Sequence, residues 1–350
     1  MKRFMIFAIL CLLMGGEAIA TEKAPKCDTL YILGVGNSWT RDSMRWLSAI
    51  AKSANRPVVV GHAYLGGSNL EQQYRGIDDK NFTYFHHKYD QVVHNTYQYW
   101  LYDGTENPVK TPDKNYRNGK SGIGVTLESV VTDKPWEIVV LQPEITVRRY
   151  LLSKGGTFDL NLLVERIKKM MSPEVAAKAR FGLMVPFSYP QGNTDYRKGL
   201  CTYYNNGVEP TSQQEWDTLF EKTHNCIQEE IVEIGAAMGN NCSFFVNVGL
   251  AIYNARQNRW LSKSGYKLQR SQSNTHLSEG IAMYIASLAY AYEILGIGRE
   301  EARFFPKHSK DPQLTGDTGK TDLVLVENTA FMADQARREA WHAQMCSPLR

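Results

Sequence analysis

Four apolar residues, Ile138, Val139, Val140 and Leu141, follow one another without interruption in PWEIVVLQ. A strand with one wet face alternates apolar and polar residues. A strand apolar on both faces must be covered on both, as central strands of parallel sheets are. LYILGV, PVVVGHAY, FGLMVPF and SFFVNVG are runs of the same character. Between them stand segments with apolar residues at helical spacing: Met44, Leu47, Ile50, Ala51 and Ala54 in one, and Leu160, Leu163 and Ile167 behind a capping Asp159 in another. Strand and helix in alternation predict a mainly parallel α/β sheet with helices on both faces.

The ends of the chain read differently. MKRFMIFAILCLLMGGEAIA has a basic start, a short apolar run and a small-residue Ala18-Ile19-Ala20 ending. Residues 1–20 are therefore expected to be a signal peptide cleaved after Ala20, and the protein to be secreted or periplasmic. No later run is apolar for long enough to form a membrane-spanning helix. Residues 28–298 are expected to form one domain. Within it, 78–133 is a polar, aromatic insertion with a helix predicted around Tyr89 to Tyr99. Residues 299–350 read as an extension packed on the same domain.

Net charge is +4 and no dense Lys/Arg block occurs, which gives no support to a nucleic-acid partner. Beyond the leader, Cys27, Cys201, Cys226, Cys242 and Cys346 remain, none in a Cys-x-x-Cys pair. One or two disulfides are expected from the compartment, and no zinc site. Adjacent His86 and His87 are poorly placed to share a metal, so neither metal nor cofactor is expected.

The chemistry concentrates where the first strand hands over to a helix, in YILGVGNSWTRDSMRWL. A phosphate loop would need Lys-Ser/Thr after its last glycine, and a dinucleotide fingerprint a third glycine near Trp39. Neither is present. A Gly-x-Ser-x-Gly elbow fails because Thr40 stands at its second glycine. What remains is Ser38 at the start of a helix, either a nucleophile near free backbone N–H groups or a simple cap. His276, in the polar loop before the nearly all-apolar helix of LSEGIAMYIASLAYAYEIL, is its candidate base.

Five motifs in order, GNSWT (36–40), GGSNL (66–70), VVLQ (139–142), NAR (254–256) and HLS (276–278), resemble the SGNH (GDSL-type) hydrolases. They are more similar still to a secreted branch of that superfamily with Gly-Asn-Ser and His-Leu-Ser motifs. The resemblance covers roughly residues 30–297. It implies a flavodoxin-like α/β/α sandwich and ester hydrolysis, with Ser38 as nucleophile and His276 as base. The oxyanion hole would use the backbone N–H groups of Ser38 and Gly67. Gln142 is the amide nearest in sequence to the Asn side chain that the superfamily adds, or else a strand-end group bonding nearby backbone.

Two positions depart from the superfamily. Asn37 replaces the Asp of Gly-Asp-Ser, and Ser273 stands where a catalytic Asp would precede the histidine by three. A triad carboxylate fixes the imidazole tautomer and steadies the imidazolium. Its absence at 273 leaves a Ser-His dyad or a carboxylate from elsewhere. The expectation is a serine esterase removing small acyl groups, acetyl first, from carbohydrate. Tyr97, Tyr99, Tyr102, Tyr203 and Tyr204 are candidate sugar-facing aromatics, and such residues equally well fill gaps under long loops. The alternative is a non-catalytic glycan- or surface-binding protein on the same scaffold.

Overall fold

The structure is a computed structural model and describes residues 28–77, 83–86, 91–94, 98–102, 126–189, 197–262, 268–269, 275–278, 280–306 and 329–346. The expected signal peptide, Cys27, Tyr97 and Ser273 lie outside the described residues.

The described strands are β1 (Leu30–Gly36), β2 (Val58–Tyr64), β3 (Thr83–His86), β4 (Gln91–His94), β5 (Gln98–Tyr102), β6 (Ile138–Leu141), β7 (Arg180–Met184) and β8 (Phe244–Val246). The helices that position the site are α1 (Ser38–Met44), α2 (Leu47–Ser53), α3 (Leu70–Arg75), α4 (Leu127–Val131), α5 (Leu160–Met170), α6 (Pro173–Lys178), α7 (Arg197–Tyr204), α8 (Gln213–Met238), α9 (Val248–Gln257), α10 (Ile281–Ile294) and α11 (Thr329–Met345).

Six strands form one sheet in the order β5-β2-β1-β6-β7-β8. The five apolar runs of the sequence are its parallel strands, and β5 joins antiparallel at the β2 edge. Numbered among themselves, the parallel strands run 2-1-3-4-5, the flavodoxin-like order. Parallel crossovers are right-handed. The β1-to-β2 connection moves one way along the sheet and the later ones move the other, so their helices cover opposite faces. The result is the expected three-layer sandwich. α10 packs on α1, α2 and α9, while α3 and α4 pack on α5.

The insertion differs from the sequence-based expectation. Where a helix was predicted around Tyr89 to Tyr99, the described residues 91–94 and 98–99 are extended: β4 pairs with β3, and β5 pairs with β2. The edge of β2 supplies ladder partners, and Tyr99 and Leu101, two apart on β5, are both buried. Strand periodicity on an open edge outweighs a weak helical pattern. At the other end, α11 packs on α9 and α10 and buries Ala336, Ala340 and Ala343. No helix among the described residues is long and apolar enough to cross a membrane. Cys201, Cys226, Cys242 and Cys346 are not disulfide-bonded, so the expected disulfides do not occur among the described residues.

Candidate active site

The carboxyl ends of β1, β2 and β6 are level, with Gly36 opposite Tyr64 and Val35 opposite Leu141. β1 lies between the other two and is where the strand order reverses, the place where open α/β sheets carry their ligands. The ladder continues one residue beyond the strands. Leu65 N–H donates to Gly36 O and Gln142 N–H to Val35 O, both at 3.0 Å.

The glycines before Ser38 let α1 lie directly on β1. A Cβ on Gly34 would come within 2.4 Å of Met44 Sδ and 2.5 Å of Thr40 Cγ2. One on Gly36 would come within 2.2 Å of Thr40 Oγ1 and 2.8 Å of Gln142 Cβ. Close approach, not phosphate binding, explains these residues.

Asn37 caps α1 and ties two turns together. Its Oδ1 accepts from Trp39 N–H at 3.0 Å, and its Nδ2 donates to Ser68 O at 3.0 Å. The task needs an acceptor and a donor on one short side chain, which an aspartate lacks. Ser68 is held in turn by donating to Leu65 O and accepting from Gln73 Nε2. Asn69 and Gln72 close a capping box at the start of α3. Between Leu65 and Ser68 sits Gly67, exposed, with φ of 66°. That left-handed conformation suits glycine.

Gln142 is buried and well occupied. Its Oε1 accepts from Asn37 N–H at 3.0 Å and from Thr40 Oγ at 3.2 Å, while Nε2 donates to Pro143 O at 2.5 Å. The side chain therefore anchors the Ser38 turn to the end of β6. Of the two roles open to it from sequence, these bonds serve the strand-end one.

Of the two possibilities that Ser273 leaves open, a dyad or a carboxylate from elsewhere, the structure has a carboxylate beside the His276 ring. Asp42 Oδ2 lies 2.9 Å from His276 Nδ1. The Asp42 side chain is fully buried and also accepts from Leu277 N–H at 3.3 Å, with Arg41 Nη2 3.8 Å from its other oxygen. The acid comes from α1, four residues after Ser38. One helical turn separates positions i and i+4, so Ser38 and Asp42 share a face of α1. A carboxylate only accepts, so Nδ1 is the donor in this contact, and in the neutral ring that tautomer leaves the Nε2 lone pair open. Sequence reasoning passed over Asp42 because TRDSM reads as an ordinary polar helix stretch. The available signal was its i+4 spacing from Ser38.

Other charges near Asp42 are arranged around it. Arg41 lies over the Tyr64 ring at 5.4 Å. His62, fully buried on β2, is held down from 6.5 to about 3, first by burial and then by the Arg41 charge, against an upward pull from Asp42. It is neutral at working pH. Among the described residues no cluster of three or more His, Cys, Asp or Glu could hold a metal ion.

The tyrosine expectation fares less well. Tyr99 and Tyr204 are buried, with hydroxyls donating to Asp133 Oδ2 at 2.7 Å and Ile145 O at 2.6 Å. They are packing residues. Tyr203 is half-buried, and the Tyr102 side chain lies outside the described residues. Trp39, beside Ser38, stacks on Phe187 at 4.3 Å and meets Tyr189 edge-on at 5.8 Å.

No family model matches the chain, and no curated protein matches its sequence. Among solved structures the fold is similar to that of a DUF4886 family protein from Bacteroides uniformis. The TM-score is 0.62 at 16% identity, over 92% of this chain and 97% of that one. A gut microbial diltiazem-metabolizing enzyme is similar at a TM-score of 0.36 and 13% identity, over 78% of this chain and 47% of that one. At such identities the first likeness is one of fold.

Proposed function

We propose that the protein is a serine esterase in which Ser38, His276 and Asp42 act together as nucleophile, base and orienting acid. The observation that carries this reading is the 2.9 Å contact between His276 Nδ1 and Asp42 Oδ2, with Asp42 one helical turn from Ser38. A buried carboxylate on one imidazole nitrogen leaves the other as a base, which is what activation of a serine hydroxyl requires.

In the proposed reaction His276 Nε2 takes the Ser38 proton as Oγ attacks the ester carbonyl. Asp42 steadies the resulting imidazolium. The developing oxyanion is met by the backbone N–H groups of Ser38 and Gly67, with Gln142 assigned to holding the turn. His276 returns the proton to the leaving alcohol, and the acyl-enzyme forms. Water, deprotonated by the same nitrogen, then releases the acid and frees Ser38. The substrate class, small acyl esters of carbohydrate with acetyl first, is supported by the motif resemblance and the expected export signal.

Fluorophosphonate labelling tests the reading, because only an activated serine reacts. Labelling of the wild type that is lost in Ser38→Ala is expected, together with release of acetate from acetylated oligosaccharides. A wild-type protein that takes no label would instead favour the glycan-binding alternative.

A further inference from the structure

Arg256, the last residue of the Asn-Ala-Arg run on α9, has no part in the relay above. Its guanidinium is half-buried, and desolvation pulls it from 12.5 to about 9, still charged at neutral pH. Its charge also helps to lower His224, which burial chiefly holds at about 4. What the fold uses is the geometry of the guanidinium.

That geometry is a fork. Nη1 donates to Ser188 O at 2.8 Å and Nη2 to Gln269 Oε1 at 3.1 Å. The first arm grips the segment after β7, whose Phe187 and Tyr189 pack on Trp39, the neighbour of Ser38. The second arm grips the segment that carries the base. Gln269, itself buried, pairs antiparallel with Leu277, and Ser278 N–H donates to Leu268 O at 2.9 Å. Leu277 N–H reaches Asp42 Oδ2. Leu268 sits at φ of 70°, a strained conformation for leucine that persists only where its surroundings hold it.

We infer that Arg256 is a positioning residue of the active site, tying Gln269, and through it the paired Leu277, to the β7 loop so that His276 stays in register with Asp42. The role rests on the esterase reading for its catalytic meaning, though not for its geometry. A planar guanidinium reaches two acceptors in fixed directions, which a lysine ammonium on a flexible stem does not.

The test uses the full mature chain and the variants Arg256→Met, Arg256→Lys and Gln269→Met. Each is read by kcat and KM on an aryl acetate, by circular dichroism, and by the low-field proton resonance of the His276–Asp42 hydrogen bond. Arg256→Met is expected to stay folded, lose that resonance, and lose on the order of 10²-fold in kcat with KM little changed. Arg256→Lys should recover part of both. Gln269→Met should resemble Arg256→Met, and the double variant should add little, since both cut one link. A folded Arg256→Met that keeps the resonance and the wild-type kcat would overturn the proposal. Should Arg256→Met not fold, a folded Gln269→Met that keeps both would overturn it equally. A resonance absent from the wild type would do the same. Failure of the esterase reading looks different: no turnover and no fluorophosphonate label in the wild type, with a resonance that Arg256→Met still abolishes.

Discussion

Asp42 Oδ2 and His276 Nδ1 stand 2.9 Å apart across a sequence separation of 234 residues. The carboxylate beside the His276 ring comes from the helix that begins with Ser38, the proposed nucleophile. Asp42→Asn would offer the imidazole an amide able to donate, and so favour the wrong tautomer. Turnover on an aryl acetate should fall about 10⁴-fold, the loss seen when a triad carboxylate becomes an amide. Ser273→Asp, which puts an acid at the superfamily's usual position, should bring no gain because Nδ1 is already bonded. A rise in turnover with Ser273→Asp would count against Asp42 as the acid.

Ser38→Ala and His276→Ala should each abolish hydrolysis of the aryl acetate while leaving the circular dichroism spectrum near wild type. Neither side chain belongs to the buried core. Unchanged turnover in either variant would remove the hydrolase assignment.

Asn37 donates to Ser68 O and accepts from Trp39 N–H. Asn37→Asp keeps the acceptor and turns a carboxylate oxygen toward a carbonyl. The cost should be about 1–3 kcal/mol, the range for a buried polar group left unsatisfied. Urea unfolding should show an earlier midpoint, and turnover should drop as the two turns separate. A midpoint equal to wild type would show that this tie contributes nothing.

Gly36→Ala places a methyl group against Thr40 Oγ1 and Gln142. Overpacking of this kind costs about 1–3 kcal/mol. The strain falls on the bonds that orient the Ser38 turn, so kcat should fall as well as stability. A variant with wild-type values of both would mean that α1 can lift off β1 freely.

Acid should destabilise the fold through its buried histidines. His62 is lowered from 6.5 to about 3 and His224 from 6.5 to about 4, each chiefly by burial. Below pH 6.5 the unfolded chain binds protons at these sites that the folded chain refuses. Their stability contribution is therefore complete above pH 6.5 and is lost as pH falls toward the folded values. At pH 5 each site should have cost about 2 kcal/mol, at 1.36 kcal/mol per unit. Urea titrations at pH 7 and pH 5 should show a smaller loss for His62→Gln than for wild type. Equal losses would mean that His62 takes its proton within the fold.

Sequence alone determined the layers of this protein. Uninterrupted apolar runs such as Ile138 to Leu141 can be satisfied only in a sheet covered on both faces, and that is a local property of the chain. Ser38 and His276 could be nominated for a similar reason, since each stands in a short motif beside a strand end or helix start. Tertiary structure decided the rest. The strand order, and with it the switch point at β1, depends on crossovers that no window of sequence records. Asp42 was hidden because a carboxylate on a short helix looks solvated until another segment of chain covers it. Arg256 was visible as part of a motif but not as a clamp, because its acceptors Ser188 and Gln269 belong to segments that only folding brings together. Burial and long-range hydrogen bonds are properties of the packed chain, and the chemistry of this site rests on both.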